Sequence, residues 1–338
     1  MLADPVAEQR RKGLRVALAV SVGFTLAVAM GAVVPFLGPL FAAQFLLSSP
    51  QPMPLGKTLG MAILILATGV VMMLLTSWFG DRPATFLMVL GLIYFSCFLA
   101  QSSGKGGPAV FLVLVVAVMV PLLGILNKEL AASILSILTI GVLSGAVMMW
   151  LAHAVIPEPA SIMPQLQPPA PTTPGYLRAL ANTVILLSTV TICLTSEDLG
   201  AAIVIPITVA SLLGQLDTTA SGRASVGLAI VNLLGGIVAS LAYAILTIRP
   251  NLFSMFVIVL VVCLIFGGRA AARTADAKLY AGALTTFLIL FGLGVSPLPG
   301  SAAESFSTRI LYVAGAIVFV FLTTALLWQR PHEKHATV

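Results

Sequence analysis

From Leu14 onward, long apolar runs alternate with short breaks of charge, proline and glycine. A helix crosses the hydrocarbon core of a bilayer with roughly 20 residues. The runs predict spans at 14–32, 35–48, 57–79, 83–101, 108–126, 130–155, 177–196, 199–215, 224–247, 251–267, 277–295 and 305–328, twelve in all. The second is the odd one. "PFLGPLFAAQFLL", Pro35 to Leu47, is short and carries two prolines and Gln44, with no charge separating it from the run before.

Composition agrees with lipid. The chain is 59% hydrophobic and 8% charged, with a mean hydropathy of +1.10. Soluble domains carry about 25% charged residues, so this chain cannot cover a water-facing surface. The expectation is an all-α polytopic membrane protein. "EQRRKGLR" ahead of the first run resembles the start of a signal peptide, but without a convincing small-residue cleavage site it reads as an uncleaved first span.

Lys and Arg set the orientation. With the N-terminus inside, thirteen of the seventeen basic residues fall on inner segments, and Arg82, Lys128, Arg249 and Arg309 fall outside. That asymmetry obeys the positive-inside rule and predicts cytoplasmic N- and C-termini. It also requires the short second run to cross, since otherwise Lys57 and the later loops would invert. The net charge of +6 is thus a topology signal. No interleaving of aromatic and basic residues suggests nucleic acid.

"IPEPASIMPQLQPPAPTTPGY" divides the spans, with seven prolines between Pro157 and Pro174. Such a stretch favours extended conformations and forms no packed domain. The predicted organisation is a six-helix membrane repeat over 1–155, a cytoplasmic linker over 156–176, and a second six-helix repeat with a short tail over 177–338. At an offset of 167 residues, Pro39 falls on Pro206, Gly60 on Gly227, Gly69 on Gly236, Arg82-Pro83 on Arg249-Pro250, Phe86 on Phe253 and Met88 on Met255. Leu14-Arg15 corresponds to Leu177-Arg178 after a four-residue gap. An even number of spans per copy makes the two repeats parallel. Pro39 and Pro206 are expected to kink their helices and free a carbonyl, which is tolerated in a membrane only under cover of protein or water. The second and eighth spans therefore belong near the centre of the bundle.

Several polar residues are candidates for a substrate path. Arg82 and Arg249 occupy equivalent outer positions and could attract an anion, or simply snorkel into the headgroups. Gln44, Gln215 and Asn232 are amides in or near spans, suited to hydrogen-bonding a passing carboxylate or to bridging two helices. Ser188, Thr191 and Thr195 share one face of the seventh span, although such hydroxyls commonly bond back to their own helix. His153 could couple protons or mark the interface with Trp150. Glu129 and Glu304 each precede the last span of a half and are further proton-coupling candidates. The glycine pairs Gly60/Gly69 and Gly227/Gly236 predict close helix contacts.

No catalytic constellation is legible: no nucleophile adjoins a base, and no glycine-rich loop suits a phosphate. Cys97, Cys193 and Cys263 lie singly in apolar runs, with no ligand spacing for a metal and no disulfide framework. No cofactor is expected.

A six-span unit entered by "LR", a proline-bearing second span and a parallel duplication resemble the fusaric acid resistance and aromatic acid exporter superfamily. "PFLGPLFAAQFLLSSPQP" and "WLAHAVIPEP" are similar to stretches of its compact two-unit form, a family of uncharacterised bacterial inner-membrane proteins. The resemblance implies a multi-pass protein of the bacterial inner membrane that exports small organic or aromatic acids, with a periplasmic membrane-fusion adaptor as partner. It leaves homo-oligomer formation open. The large cytoplasmic domains of bigger exporters have no counterpart here beyond the linker and "QRPHEKHATV". Two other readings stand beside it. "GQLDTTASGR" loosely resembles an inner-loop motif of major facilitator transporters, and the chain could instead be a scaffold that anchors an adaptor without transporting.

Overall fold

Each apolar run among the described residues becomes a helix because, in hydrocarbon, backbone groups must be satisfied within the segment itself. The computed structural model describes residues 5–49, 51–103, 107–126, 128–157, 175–195, 204–217, 222–272, 274, 276–296, 315, 318–320 and 322–324. Among them run α1 (Pro5–Ala29), α2 (Leu37–Ser48), α3 (Leu55–Phe79), α4 (Pro83–Ser102), α5 (Gly107–Leu126), α6 (Lys128–Val155), α7 (Tyr176–Thr195), α8 (Val204–Asp217), α9 (Gly222–Ile248), α10 (Leu252–Ala270) and α11 (Ala277–Val295), with no strand. Among the described residues, eight helices are long and apolar enough to cross a membrane, and three shorter apolar ones accompany them. The chain is an all-α, polytopic membrane protein. The predicted span at 305–328 and the linker over 156–176 fall largely outside the described residues.

The polarity is inside out. On α3, Ile63, Leu66, Val70, Leu74 and Trp78 form an exposed apolar stripe, and on α9 Ile230, Leu233, Ile237, Leu241 and Ile245 form another. Water would not tolerate such a surface on a monomer, so these stripes face lipid. The two sets correspond residue for residue at the offset of 167. Buried helices are instead apolar all round. On α11 every residue from Gly282 to Leu293 is buried, and α2 buries Leu37, Pro39, Leu40, Phe41, Ala42, Ala43, Phe45 and Leu46.

Helix pairing follows a pattern. Shifted by 167 residues, α2, α3, α4 and α5 start within three residues of α8, α9, α10 and α11. α3 packs on α5 as α9 packs on α11; α1 packs on α2 as α7 packs on α8. Across the halves, α1 packs on α10 and α7 on α4, while α2 touches α11 and α5 touches α8. The first helix of each half thus lies against the fourth helix of the other. The α1–α10 approach brings backbones together, since a Cβ on Gly13 would lie 2.9 Å from the Cα of Gly268.

Long-range hydrogen bonds show which helix ends meet. Lys12 Nζ donates to the Leu47 carbonyl at 2.9 Å, placing a cation on the last turn of α2. Arg15 Nε donates to the Ile156 carbonyl at 2.7 Å, Gln9 Nε2 to Gly268 at 3.1 Å, and the Trp150 indole to Met53 at 2.8 Å. The starts of α1 and α3 and the ends of α2, α6 and α10 therefore share one end of the bundle. Ser296 Oγ donates to the Val33 carbonyl, tying the end of α11 to the α1–α2 turn at the other. α2 thus returns the chain to the end where α1 began, although its 12 residues reach only about 18 Å.

Two expectations, on Pro39 and Gly60, are corrected, and one corresponding pair diverges. Pro39 is the third residue of α2, and Pro206 stands third from the described start of α8. In a first turn the missing N–H has no intrahelical acceptor to desert, so Pro39 introduces no kink. Proline lies mid-helix instead at Pro121 of α5. Gly60 has open space where a side chain would stand, so it permits no close contact, whereas Gly69 packs against Leu135. Arg15 is buried while Arg178, its sequence counterpart, is exposed.

Candidate functional site

α11 carries two adjacent threonines into the centre of the bundle. Thr285 Oγ1 donates to the Ala281 carbonyl at 3.0 Å on its own helix, leaving a lone pair that accepts from Gln44 Nε2 of α2 at 3.2 Å. Thr286 Oγ1 donates to Asn232 Oδ1 of α9 at 2.5 Å, and Asn232 is fully buried. The two helices come close because Gly235 lies against the Ala283 carbonyl, where any Cβ would overlap. Thr286 also lines a cavity of about 10 Å³ with Thr208, Ser211, Leu212, Ile289 and Leu290, room for about one water.

These groups form a neutral polar layer of amides and hydroxyls that joins α2 to α11 and α11 to α9. Its cost is the desolvation of each polar atom, offset by the hydrogen bonds above. Such a layer can exchange partners with a polar solute without moving a charge into hydrocarbon.

A second set lies beside it in the fold. Asn182 of α7 is fully buried, and among the described residues neither its Nδ2 nor its Oδ1 has a partner. Gln101 Oε1 of α4 is likewise buried without one, and Gly214 of α8 sits against that amide. α4, α7 and α8 pack on one another.

The structure disperses the other candidates. Ser188, Thr191 and Thr195 donate to Ile185, Leu187 and Ile192, carbonyls of α7 itself, the common fate of such hydroxyls. Arg82 and Arg249 are exposed at the α3–α4 and α9–α10 turns, away from the buried layer. His153 is buried with Nδ1 2.9 Å from the Met149 carbonyl one turn back. Its neighbour Trp150 is bonded to the segment ahead of α3 and is not a free interfacial anchor. Glu129 is exposed in the first turn of α6, where an acid complements the helix dipole. The Gln215 side chain and Glu304 lie outside the described residues.

Sequence reasoning missed Asn182, Gln101, Thr285 and Thr286. Asn182 meets the criterion that singled out Asn232, an amide inside a span. The threonines carry no local signal, because only their neighbours on other helices distinguish them.

Fold and site together define a polytopic helical membrane protein with a neutral polar layer at its lipid-shielded centre. The chain is similar over residues 12–152 to a family described as a protein of unknown function, DUF2955. Comparison with curated proteins and with solved structures finds no match.

Proposed function

We propose that the protein is an exporter of small organic acids in the bacterial inner membrane, built as two parallel six-helix repeats with cytoplasmic termini and twelve spans. The paired helix contacts and the matching lipid stripes on α3 and α9 support a tandem duplication. The similarity over residues 12–152 coincides with α1–α6, one such unit. The basic residues support the orientation. The resemblance to aromatic acid exporters supports the substrate class and a periplasmic membrane-fusion adaptor as partner, with the proton gradient as driving force.

One observation carries the transport reading. Gln44, Thr285, Thr286 and Asn232 place hydrogen-bonding side chains at the lipid-shielded centre, where α2 of the first half meets α11 of the second. Intramembrane polar groups facing a bundle interior commonly mark solute pathways. The test is efflux of radiolabelled benzoate from proteoliposomes under an imposed pH gradient. Wild-type protein is expected to release it faster than empty liposomes, and a Gln44→Ala, Asn232→Ala double variant to release it at least tenfold more slowly than wild type. Background flux from the wild type, with and without an added adaptor, would leave the scaffold reading.

A further inference from the structure

The α9–α10 turn holds an open groove of about 330 Å³, lined by Ile245, Ile248, Arg249, Phe253, Ser254, Val257 and Ile258. Ile245 and Arg249 are one turn apart on α9 and the segment leaving it; Phe253 and Val257 are one turn apart on α10. The apolar channel therefore runs along both helices away from a single cation. Ile248 and Phe253 flank that cation and are 78% and 75% exposed. Among the described residues, the Arg249 guanidinium has no hydrogen-bond or ion-pair partner.

We propose that this groove binds an anionic phospholipid, with the phosphate on Arg249 and an acyl chain along Ile245, Phe253, Val257 and Ile258. Charge complementarity selects the occupant. A guanidinium presents a planar fork of donors to phosphate oxygens, and the Ser254 hydroxyl lines the same mouth. A soluble anion would leave the channel beneath it unfilled. The equivalent turn in the first half differs in one respect. Asp81 precedes Arg82, whereas Ile248 precedes Arg249. A carboxylate beside Arg82 repels the headgroup that Arg249 attracts, so the two cations are unequal despite their matching positions.

The test is native mass spectrometry of the full chain in non-ionic detergent, with equimolar phosphatidylglycerol and phosphatidylcholine of identical acyl chains. The first bound lipid is expected to be enriched in phosphatidylglycerol about fivefold in wild type and in Arg82→Gln, and to fall to parity in Arg249→Gln. Phe253→Ala is expected to lower total lipid retention while keeping the headgroup preference. Undiminished enrichment in Arg249→Gln, or equal loss in both arginine variants, would overturn the site. Displacement of the lipid by millimolar glycerophosphate would show a soluble-anion site and overturn it as well.

Discussion

The Tyr94 hydroxyl donates, at 3.2 Å, to the carbonyl of Ala117, the acceptor that Pro121 leaves without a helical donor four residues on. Both Tyr94 and Ala117 are fully buried. In water a solvent molecule would satisfy that carbonyl; in this bundle α4 supplies the donor to α5. Tyr94→Phe is expected to lower stability by about 1–3 kcal/mol, the usual penalty for a buried unsatisfied group. Pro121→Ala restores the N–H, so the same Tyr94 change should cost less in that background. Thermal unfolding of the four proteins in detergent gives the coupling, and additive losses would show that the hydroxyl does not serve the proline.

The Asn232–Thr286 bond makes a similar claim on the polar layer. Thr286→Val keeps the shape and removes the donor. Its cost, isolated by a cycle with Asn232→Ala, is expected at about 0.6–1.7 kcal/mol, the range for bonds between membrane helices. Zero coupling by equilibrium unfolding would mean the pair does not hold α9 to α11.

Arg15 and Arg178 are predicted to behave unlike a repeated pair. Arg15 is buried and joins α1 to the residue just past α6, whereas Arg178 is exposed. Arg15→Ala should destabilise by about 1–3 kcal/mol, because the half-buried Ile156 carbonyl loses its charged donor. Arg178→Ala should stay within about 0.5 kcal/mol of wild type. Arg15→Lys should rescue only in part, since an ammonium cannot reproduce the planar fork. Equal melting temperatures for the two alanine variants would refute the asymmetry.

These cases show where the sequence was informative. Bilayer thickness dictates run length, so the apolar segments announced their helices, including the brief one after Pro35. The offset between halves was visible because Arg82-Pro83 starts α4 and Arg249-Pro250 stands just ahead of the Asn251 cap of α10, a local requirement that leaves a local mark. The kink assigned to Pro39 failed because a proline's effect depends on its distance from the helix start. That start was hidden where apolar residues run on through the α1–α2 turn, and the mid-helix Pro121 has Leu288 at the matching position. Thr285 and Thr286 were invisible for another reason. A threonine that bonds its own helix and one that meets an amide on the next helix look alike until the helices are packed.

The route of α2 supplies the last prediction. The Lys12 bond to Leu47 puts the end of α2 beside the start of α1, so Gln51 and the N-terminal segment should lie on one side and Gly31 on the other. Cys97, Cys193 and Cys263 are all buried, so replacing them with alanine gives a background in which single new cysteines report topology. In intact cells, an impermeant maleimide is expected to label Gly31→Cys and Ala84→Cys, near the α1–α2 and α3–α4 turns. It should label Gln51→Cys only after the membrane is permeabilised. If Gln51→Cys were labelled in intact cells together with Gly31→Cys, α2 would be a re-entrant hairpin returning to its own side. Every later loop would then invert, and the excess of basic residues would face the wrong compartment.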